Sequence, residues 1–491
     1  MKKNIRLTDE QRKFFTLVSD AVVANPFSDK RNRLDMEIAG FFLDGPGENL
    51  IDKTIKGVMF RISELEKQQL TIDDFEGHDR FLVETAFLFD FFYRFRKSFD
   101  ELIQQQIKAG DNSVKVPFVK AAYRMLESRG FDNESIYLYF ALCYQIRRAF
   151  YFIRDSLIGQ SQVMKEFKRK LWNNVFTHDL RLYEKYLYNR MEDFSTLILG
   201  ETGTGKGTAA IAIGRSGFIP FDEKRKCFEE SFTRSFVSLN LSQFPETLIE
   251  SELFGHKKGS FTGAVENFEG VFQKCSRNGA IFLDEIGEIS EPVQIKLLQV
   301  LQDRVFTPVG SHKAERFNGR VIAATNRNLN EIENGNVFRD DFYYRLCSDI
   351  INVPPLRQRI KEDPDELNRL VFFTVKRIVG KDSPECIDMV LSVIENQLGI
   401  DYEWPGNVRE LEQCTRSVLL NRNYSGKSMV GNKGLEELLV SGLSNGEIGA
   451  QELMSGYCRL LYERFSTFEE VARRTGLDRR TVKKYINSSP E

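Results

Sequence analysis

Two stretches of this chain carry residue types and spacings that suit phosphate chemistry. In LILGETGTGKGTAA an apolar run ends in a glycine-rich turn, Gly200, Glu201, Thr202, Gly203, Thr204, Gly205 and Lys206, followed by Gly207 and Thr208. Such glycines let backbone N–H groups converge on an anion, the lysine adds a point charge, and the next helix adds its N-terminal dipole. The pattern G-x-x-x-x-G-K-[ST] fails only at its last place, where Gly207 replaces the hydroxyl that would reach magnesium and Thr208 comes next. Further along, NGAIFLDEIGEIS ends a second apolar run in Asp284-Glu285. A carboxylate at a strand end suits a magnesium-associated role, and a second beside it suits a base that orients water. Together the two stretches point to a phosphate site with a magnesium-associated carboxylate and a base for water.

Other chemistries find little support. The seven cysteines, at 143, 227, 275, 347, 386, 414 and 458, are scattered without a C-x-x-C pair, which fits a reducing cytoplasm better than a disulfide framework or a zinc site. The four histidines form no His-x-x-x-His pair, so no metal centre of protein ligands is expected. No stretch approaches 18 uninterrupted apolar residues and the start, MKKNIRLTDEQRK, lacks an apolar segment, so neither membrane spanning nor export is expected. A formal net charge of -2, from 69 basic and 71 acidic residues, means that any nucleic-acid surface must be local.

The elements that must position these groups follow from the patterning. At 491 residues the chain needs several cores. Residues 157–353 alternate short apolar runs (TLILG, SFVSLN, AIFLD, RVIAAT, DIINV) with helical stretches, which predicts a parallel sheet covered on both faces. Residues 354–420 read as a small helical lid, 421–450 as a Gly/Ser/Asn-rich linker with one short helix at GLEELLV, and 451–491 as a compact closing module. Residues 1–156 read as a helical regulatory domain of unknown type. They hold 19 of the 41 phenylalanines, with Phe87, Phe91, Phe95 and Phe99 repeating along one helical face. That face is expected to be helical core rather than a ligand pocket.

ESELFGHKKGSFTGA, from Glu250 to Ala264, closely resembles the surface loop of the sigma-54-dependent transcription activators, the bacterial enhancer-binding branch of the AAA+ ATPases. Their signature G-A-F-T-G-A reads here Gly259-Ser260-Phe261-Thr262-Gly263-Ala264. The resemblance runs from about Leu157 to Leu420 and includes several motifs in the family's order. It implies an AAA+ P-loop ATPase that engages the sigma factor through Phe261 and Thr262. Family members commonly have Glu rather than Ser or Thr after the P-loop lysine, so the resemblance makes the missing hydroxyl at Gly207 a smaller departure than the general motif suggests. The resemblance also assigns Asn240 as the residue that checks the catalytic Glu285, Asp284 as the metal-associated carboxylate, and Thr325 with Asn326 as the first sensor. Arg339 and Arg345 match the intersubunit arginines and Arg409 the second sensor on the lid. Arginines supplied by a neighbour imply a ring, usually a hexamer. The segment FTHDLRLYEKYLYNRMED is longer than the family usually has before its P-loop and reads as an extended helix.

STFEEVARRTGLDRRTVKKYINSS predicts a helix-turn-helix: a capping box from Thr467 to Glu470, a turn at Gly476 and a second N-cap at Asp478. Val482 and Ile486 face inward, while Arg479, Arg480, Thr481, Lys483 and Lys484 face out toward double-stranded DNA. The expectation is therefore a cytoplasmic activator that binds enhancer-like DNA and remodels sigma-54 RNA polymerase at the cost of ATP. Two other readings remain beside it: a DNA-binding regulator that uses nucleotide only as an oligomerisation switch, and an AAA+ remodeller of some non-transcription client.

Overall fold

The computed structural model describes residues 4–40, 49–328, 332, 337–399, 401–426, 439, 443, 446 and 448–487. The five apolar runs become five strands of one parallel sheet: β1 (Thr196–Leu199), β4 (Phe236–Asn240), β5 (Ala280–Asp284), β8 (Arg320–Thr325) and β9 (Asp349–Asn352). Their order is β4-β5-β8-β1-β9, with Leu197 paired to Ala323 on one side and to Ile350 on the other. Two short antiparallel hairpins accompany it, β2–β3 (Phe221–Asp222, Cys227–Phe228) and β6–β7 (Val305–Phe306, Glu315–Arg316).

Side chains alternate across a strand, so the sheet has two faces and needs two covers. Leu197, Leu199, Ile281, Leu283, Val321 and Ala323 face one core, closed by the helices Glu246–Phe254, Glu291–Asp303 and Asp340–Leu346. Ile198, Phe282, Ile322, Ala324 and Ile351 face the other. That second core does not stop at the sheet. It runs through the helix after the glycine-rich turn and on into the helical front of the chain without interruption.

The front helices are α1 (Asp9–Val23), α2 (Asp29–Gly40), α3 (Leu50–Lys67), α4 (Gly77–Ala109), α5 (Val119–Ser128), α6 (Asn133–Asp155) and α7 (Gln162–Phe176); α8 (Lys206–Gly214) follows the glycine-rich turn. α1 begins with a complete capping box between Thr8 and Gln11. On α4, Phe87, Phe91 and Phe99 are fully buried and Phe95 stacks on Phe118 at 5.6 Å, so the phenylalanine stripe is core. Buried charge is paired: Arg129 bonds Asp90 and Glu66, donates to the Phe87 carbonyl and lies 4.8 Å over the Phe87 ring.

The segment after α7 is not the extended helix that its sequence suggests. It breaks into a turn at Leu180–Leu182, a wider turn at Tyr183–Leu187 and a 3-10 turn at Met191–Asp193. The reason is Tyr183, fully buried with its hydroxyl bonded to Gln145 of α6; a straight helix would carry it away from that partner.

Residues 1–391 with 402–416 form one compact unit, and 392–401 with 417–491 a second. The helices Leu356–Glu362, Asp365–Val379 and Pro384–Val393 follow the sheet, and Asn407–Asn421 follows them. The last three helices, Ala450–Phe465, Phe468–Thr475 and Arg479–Asn487, close on Cys458, Leu461, Val471 and Val482. The expected short helix at GLEELLV lies, apart from Leu439, outside the described residues. Among the described residues no helix is long and apolar enough to cross a membrane. All seven cysteines are free.

Candidate active site

β1 delivers the chain into the glycine-rich turn at the centre of the sheet. Gly203 and Gly205 take φ of +81° and +106°, the left-handed region open to glycine. A Cβ on Gly203 would also sit 2.2 Å from the carbonyl oxygen of Gly406, so only glycine lets the lid come this close. Lys206 opens α8 and is nearly buried. Its Nζ donates to the carbonyls of Gly200 at 2.9 Å and Glu201 at 3.4 Å. Burial pushes this ammonium below the usual lysine range, against the pull of Glu285 and Asp284.

Asp284 ends β5 opposite Asn240 of β4. Burial pushes its carboxyl above the usual range, with Lys206 opposing. Glu285, the next residue, sits at φ +56°. A non-glycine residue in that region costs about 1 kcal/mol, and such strain collects where function requires an exact placement.

These groups share one cavity of about 520 Å³. Its lining combines Gly203–Thr208, Asp284, Glu285 and Arg409 with the apolar Leu157, Ile158, Met164, Phe167, Leu370 and Phe373. A nucleotide has this same combination of charged phosphates and a planar base, and the volume suits one. For Mg2+ the chain offers hard oxygens, Asp284 and Glu285 with the Thr208 hydroxyl close by in the lining. Among the described residues no group of three acidic, His or Cys side chains could hold a metal alone. This donor set fits an ion that is held jointly with phosphate oxygens.

The lid is locked to the turn by contacts that no sequence motif marks. Glu201 pairs with Arg357 at 2.8 Å and accepts from Asn407 at 3.1 Å, and the Arg357 bond holds its carboxyl below the usual range. Arg359, nearly buried, donates to the fully buried Glu366 at 2.8 Å and to the Ile158 carbonyl at 2.7 Å. Glu366 in turn accepts from the Gln160 N–H at 3.0 Å, which fixes the irregular passage 157–160 beside the cavity. An arginine and a glutamate seven apart in a helical stretch read as surface charges, so only the packing reveals this pair.

Other residues singled out by resemblance lie outside the cavity lining. The Asn240 side chain caps the turn Leu241–Gln243 by accepting from Ser242 at 3.0 Å, and no bond from it to Glu285 occurs among the described residues. Thr325 is buried and accepts from the Arg327 N–H, while Asn326 is exposed. Arg339 pairs with Glu291 and Asp341, and Arg345 is exposed with its Nε on the Leu301 carbonyl at 3.0 Å.

The loop after the helix Glu246–Phe254 is a tight reversal. Gly259 and Gly263 both have positive φ, and the Gly259 N–H bonds the Ala264 carbonyl at 2.8 Å. This puts Thr262 on the surface and leaves Phe261 exposed on one side, its ring 4.9 Å from that of His256.

In the second unit, Asp478 caps the last helix by accepting from the N–H groups of Arg480 at 2.8 Å and Thr481 at 3.1 Å. Gly476, at φ +72°, makes the turn. Val482 is buried and Ile486 packs beside it, while Arg479, Arg480, Lys483 and Lys484 are exposed and Thr481 is half-buried. The capping box expected at Thr467 does not form. Its side chain makes no cap bond, because Glu470 is drawn instead to Arg473 and Arg474.

Residues 177–352 match the family model of the Sigma-54 interaction domain. The Nif-specific regulatory protein of Azotobacter vinelandii is 44% identical over 231 residues, 47% of this chain and 40% of that protein. The nitrogen fixation protein AnfA of the same organism is 38% identical over 293 residues, 59% of this chain and 51% of that protein. The crystal structure of NtrX from Brucella abortus in complex with ATP aligns at 20% identity with a TM-score of 0.40, over 76% of this chain and 81% of that one. The chain thus spans about half the length of the curated relatives it matches.

Proposed function

We propose that this chain, whose residues 177–352 match the Sigma-54 interaction domain, works as a sigma-54-dependent transcription activator. In this reading a cytoplasmic ring, expected as a hexamer, binds enhancer-like DNA and couples ATP hydrolysis to remodelling of sigma-54 RNA polymerase at a closed promoter. The observation that carries it is the single cavity lined by Lys206, Asp284, Glu285 and Arg409 together with apolar side chains.

The chemistry follows from the placement of the groups. Lys206 leaves its two backbone carbonyls for the phosphates, and the first N–H groups of α8 complete the cradle. Asp284 would hold Mg2+, which would supply charge neutralisation at the phosphates. Glu285 orients and polarises the attacking water, and Arg409 reaches the phosphates from the lid. Arg339 and Arg345, away from this chain's own cavity, act on the neighbouring subunit's nucleotide, where a forked, permanent cation suits the developing charge. The exposed Phe261 and Thr262 engage the sigma factor. Residues 466–487 read as a helix-turn-helix, with Arg479, Arg480, Thr481, Lys483 and Lys484 toward DNA.

Steady-state ATP turnover of the intact protein beside Glu285→Ala tests this. A loss of about 100-fold with nucleotide affinity kept is expected for a hydrolytic base. Near-equal turnover in the two proteins would instead favour a nucleotide switch. A promoter-opening assay supplies the second readout: melting should require sigma-54 and ATP, and should fail with Thr262→Ala.

A further inference from the structure

Asn407 opens the lid helix Asn407–Asn421, two residues before Arg409. It is fully buried and its φ is +53°, a region that asparagine enters more readily than most residues. Both ends of its amide are used. Oδ1 accepts from the Leu356 N–H at 2.8 Å, while Nδ2 donates to Glu201 Oε2 at 3.1 Å and to the Thr202 carbonyl at 3.2 Å. The amide cannot be turned round, because that carbonyl only accepts and that N–H only donates. One buried side chain thus joins the glycine-rich turn, the start of the lid at Leu356 and the helix that carries Arg409.

Backbone contacts carry the tie forward. The Arg409 N–H donates to the Gly203 carbonyl at 3.3 Å, and the Gly406 carbonyl packs directly on Gly203. The first turn of the lid helix is therefore laid on residues 201–203, and from that footing Arg409 borders the cavity. The second tie on Glu201, from Arg357, joins two exposed side chains, where water weakens an ion pair. Asn407 is the tie that water does not reach. Glu201 itself is an anion in a turn suited to binding anions, and the donors that hold it come from the lid.

We propose that Asn407 is a positioning residue of the nucleotide site: by tying Glu201 and Thr202 to the lid it fixes where the Arg409 guanidinium stands, and it acts on hydrolysis through Arg409. The inference rests on the reading above that Arg409 reaches the phosphates.

A double-substitution cycle on the intact protein tests it. Asn407→Asp keeps the shape and the acceptor for Leu356, removes the donor and sets a carboxylate against Glu201. ATP turnover and equilibrium binding of a fluorescent non-hydrolysable ATP analogue are measured for the native protein, Asn407→Asp, Arg409→Ala and the double variant, with a melting curve for each. Asn407→Asp should lower kcat/KM at least about fivefold, with the loss divided between kcat and KM as it is in Arg409→Ala. The double variant should stay within about twofold of Arg409→Ala alone, in turnover and in analogue affinity, because a group that acts through Arg409 then has nothing left to position. A merely structural tie would instead add its own loss to that of Arg409→Ala. Asn407→Gly, which suits the positive φ and carries no amide, should give the same pattern and serves where Asn407→Asp melts too low to assay. Native-like turnover in the Asn407 variants, or losses that multiply in the double variant, overturns the inference and leaves the site standing. Native-like turnover and analogue affinity in Arg409→Ala overturns the reading of the site, and the inference falls with it.

Discussion

The two ends of α8 are treated in opposite ways. At its N-terminus the backbone N–H groups and Lys206 face a cavity, with the lysine bonded only to carbonyls of its own turn. At its C-terminus the carbonyls of Arg215, Ser216 and Gly217 are taken by Arg148 and Gln145 from the front of the chain. A helix leaves donors over at one end and acceptors at the other. Here the donors border the cavity, and the carbonyls just past the helix are taken by another part of the protein. The lesson is that the front of the chain is built into the sheet domain by one continuous core, and holds α8 from behind.

Substitutions at the two ends should therefore fail differently. Lys206→Ala should have the largest effect, with nucleotide affinity down about 100-fold, the size of one lost charge-assisted contact set, and the fold intact. Fluorescent-nucleotide titration beside a melting curve checks it, and a parallel loss of fold would break the contrast. Arg148→Ala should do the reverse. It leaves two buried carbonyls unpaired and removes a guanidinium 4.6 Å over the Tyr144 ring, for a loss of about 2–4 kcal/mol in urea denaturation. Arg148→Lys should recover less than half, since an ammonium lacks the fork that spans both carbonyls.

A smaller effect tests the electrostatics of the phosphate end. Burial holds the Asp284 carboxyl above its usual range, so the native state binds that proton more tightly than the unfolded chain does. Stability is then lost as pH rises from the unfolded value of about 4 through the raised native one. Asp284→Asn should melt higher than the native protein at pH 7, and the gap should close as pH falls toward 4. An unchanged gap would show that the shift comes from something other than ionisation. The smallest effect extends the comparison of helix ends to the second unit. Asp478→Ala should speed amide exchange several-fold in the first turn of Arg479–Asn487, whereas Thr467→Ala, whose hydroxyl caps nothing, should leave exchange unchanged.

Much of this was legible beforehand, and the reasons are local. The five apolar runs are the five strands, because a buried parallel strand must be apolar on both faces over its whole length. The glycine-rich turn and Asp284-Glu285 come together because both lie at carboxyl ends of strands in one sheet. The phenylalanine stripe on α4 was legible as core from its spacing alone. The break after α7 was not, since the pull on Tyr183 comes from Gln145, 38 residues earlier. Nor was the missing cap at Thr467, where two arginines compete for Glu470.

The sequence by itself determined that the glycines, Lys206 and the Asp284-Glu285 pair meet, because they share one turn or one edge of the sheet. It also determined the shape of the Gly259–Ala264 reversal through its two positive-φ glycines. Only the tertiary structure decided that Arg357 and Asn407 clamp Glu201, that Arg359 and Glu366 pair beside the cavity, and that α6 closes the far end of α8. Apart from Arg359 and Glu366, seven positions apart, those contacts join residues tens to hundreds of positions apart. Their partners are chosen by burial, which makes an unpaired polar group costly, and burial is a property of the packed chain alone.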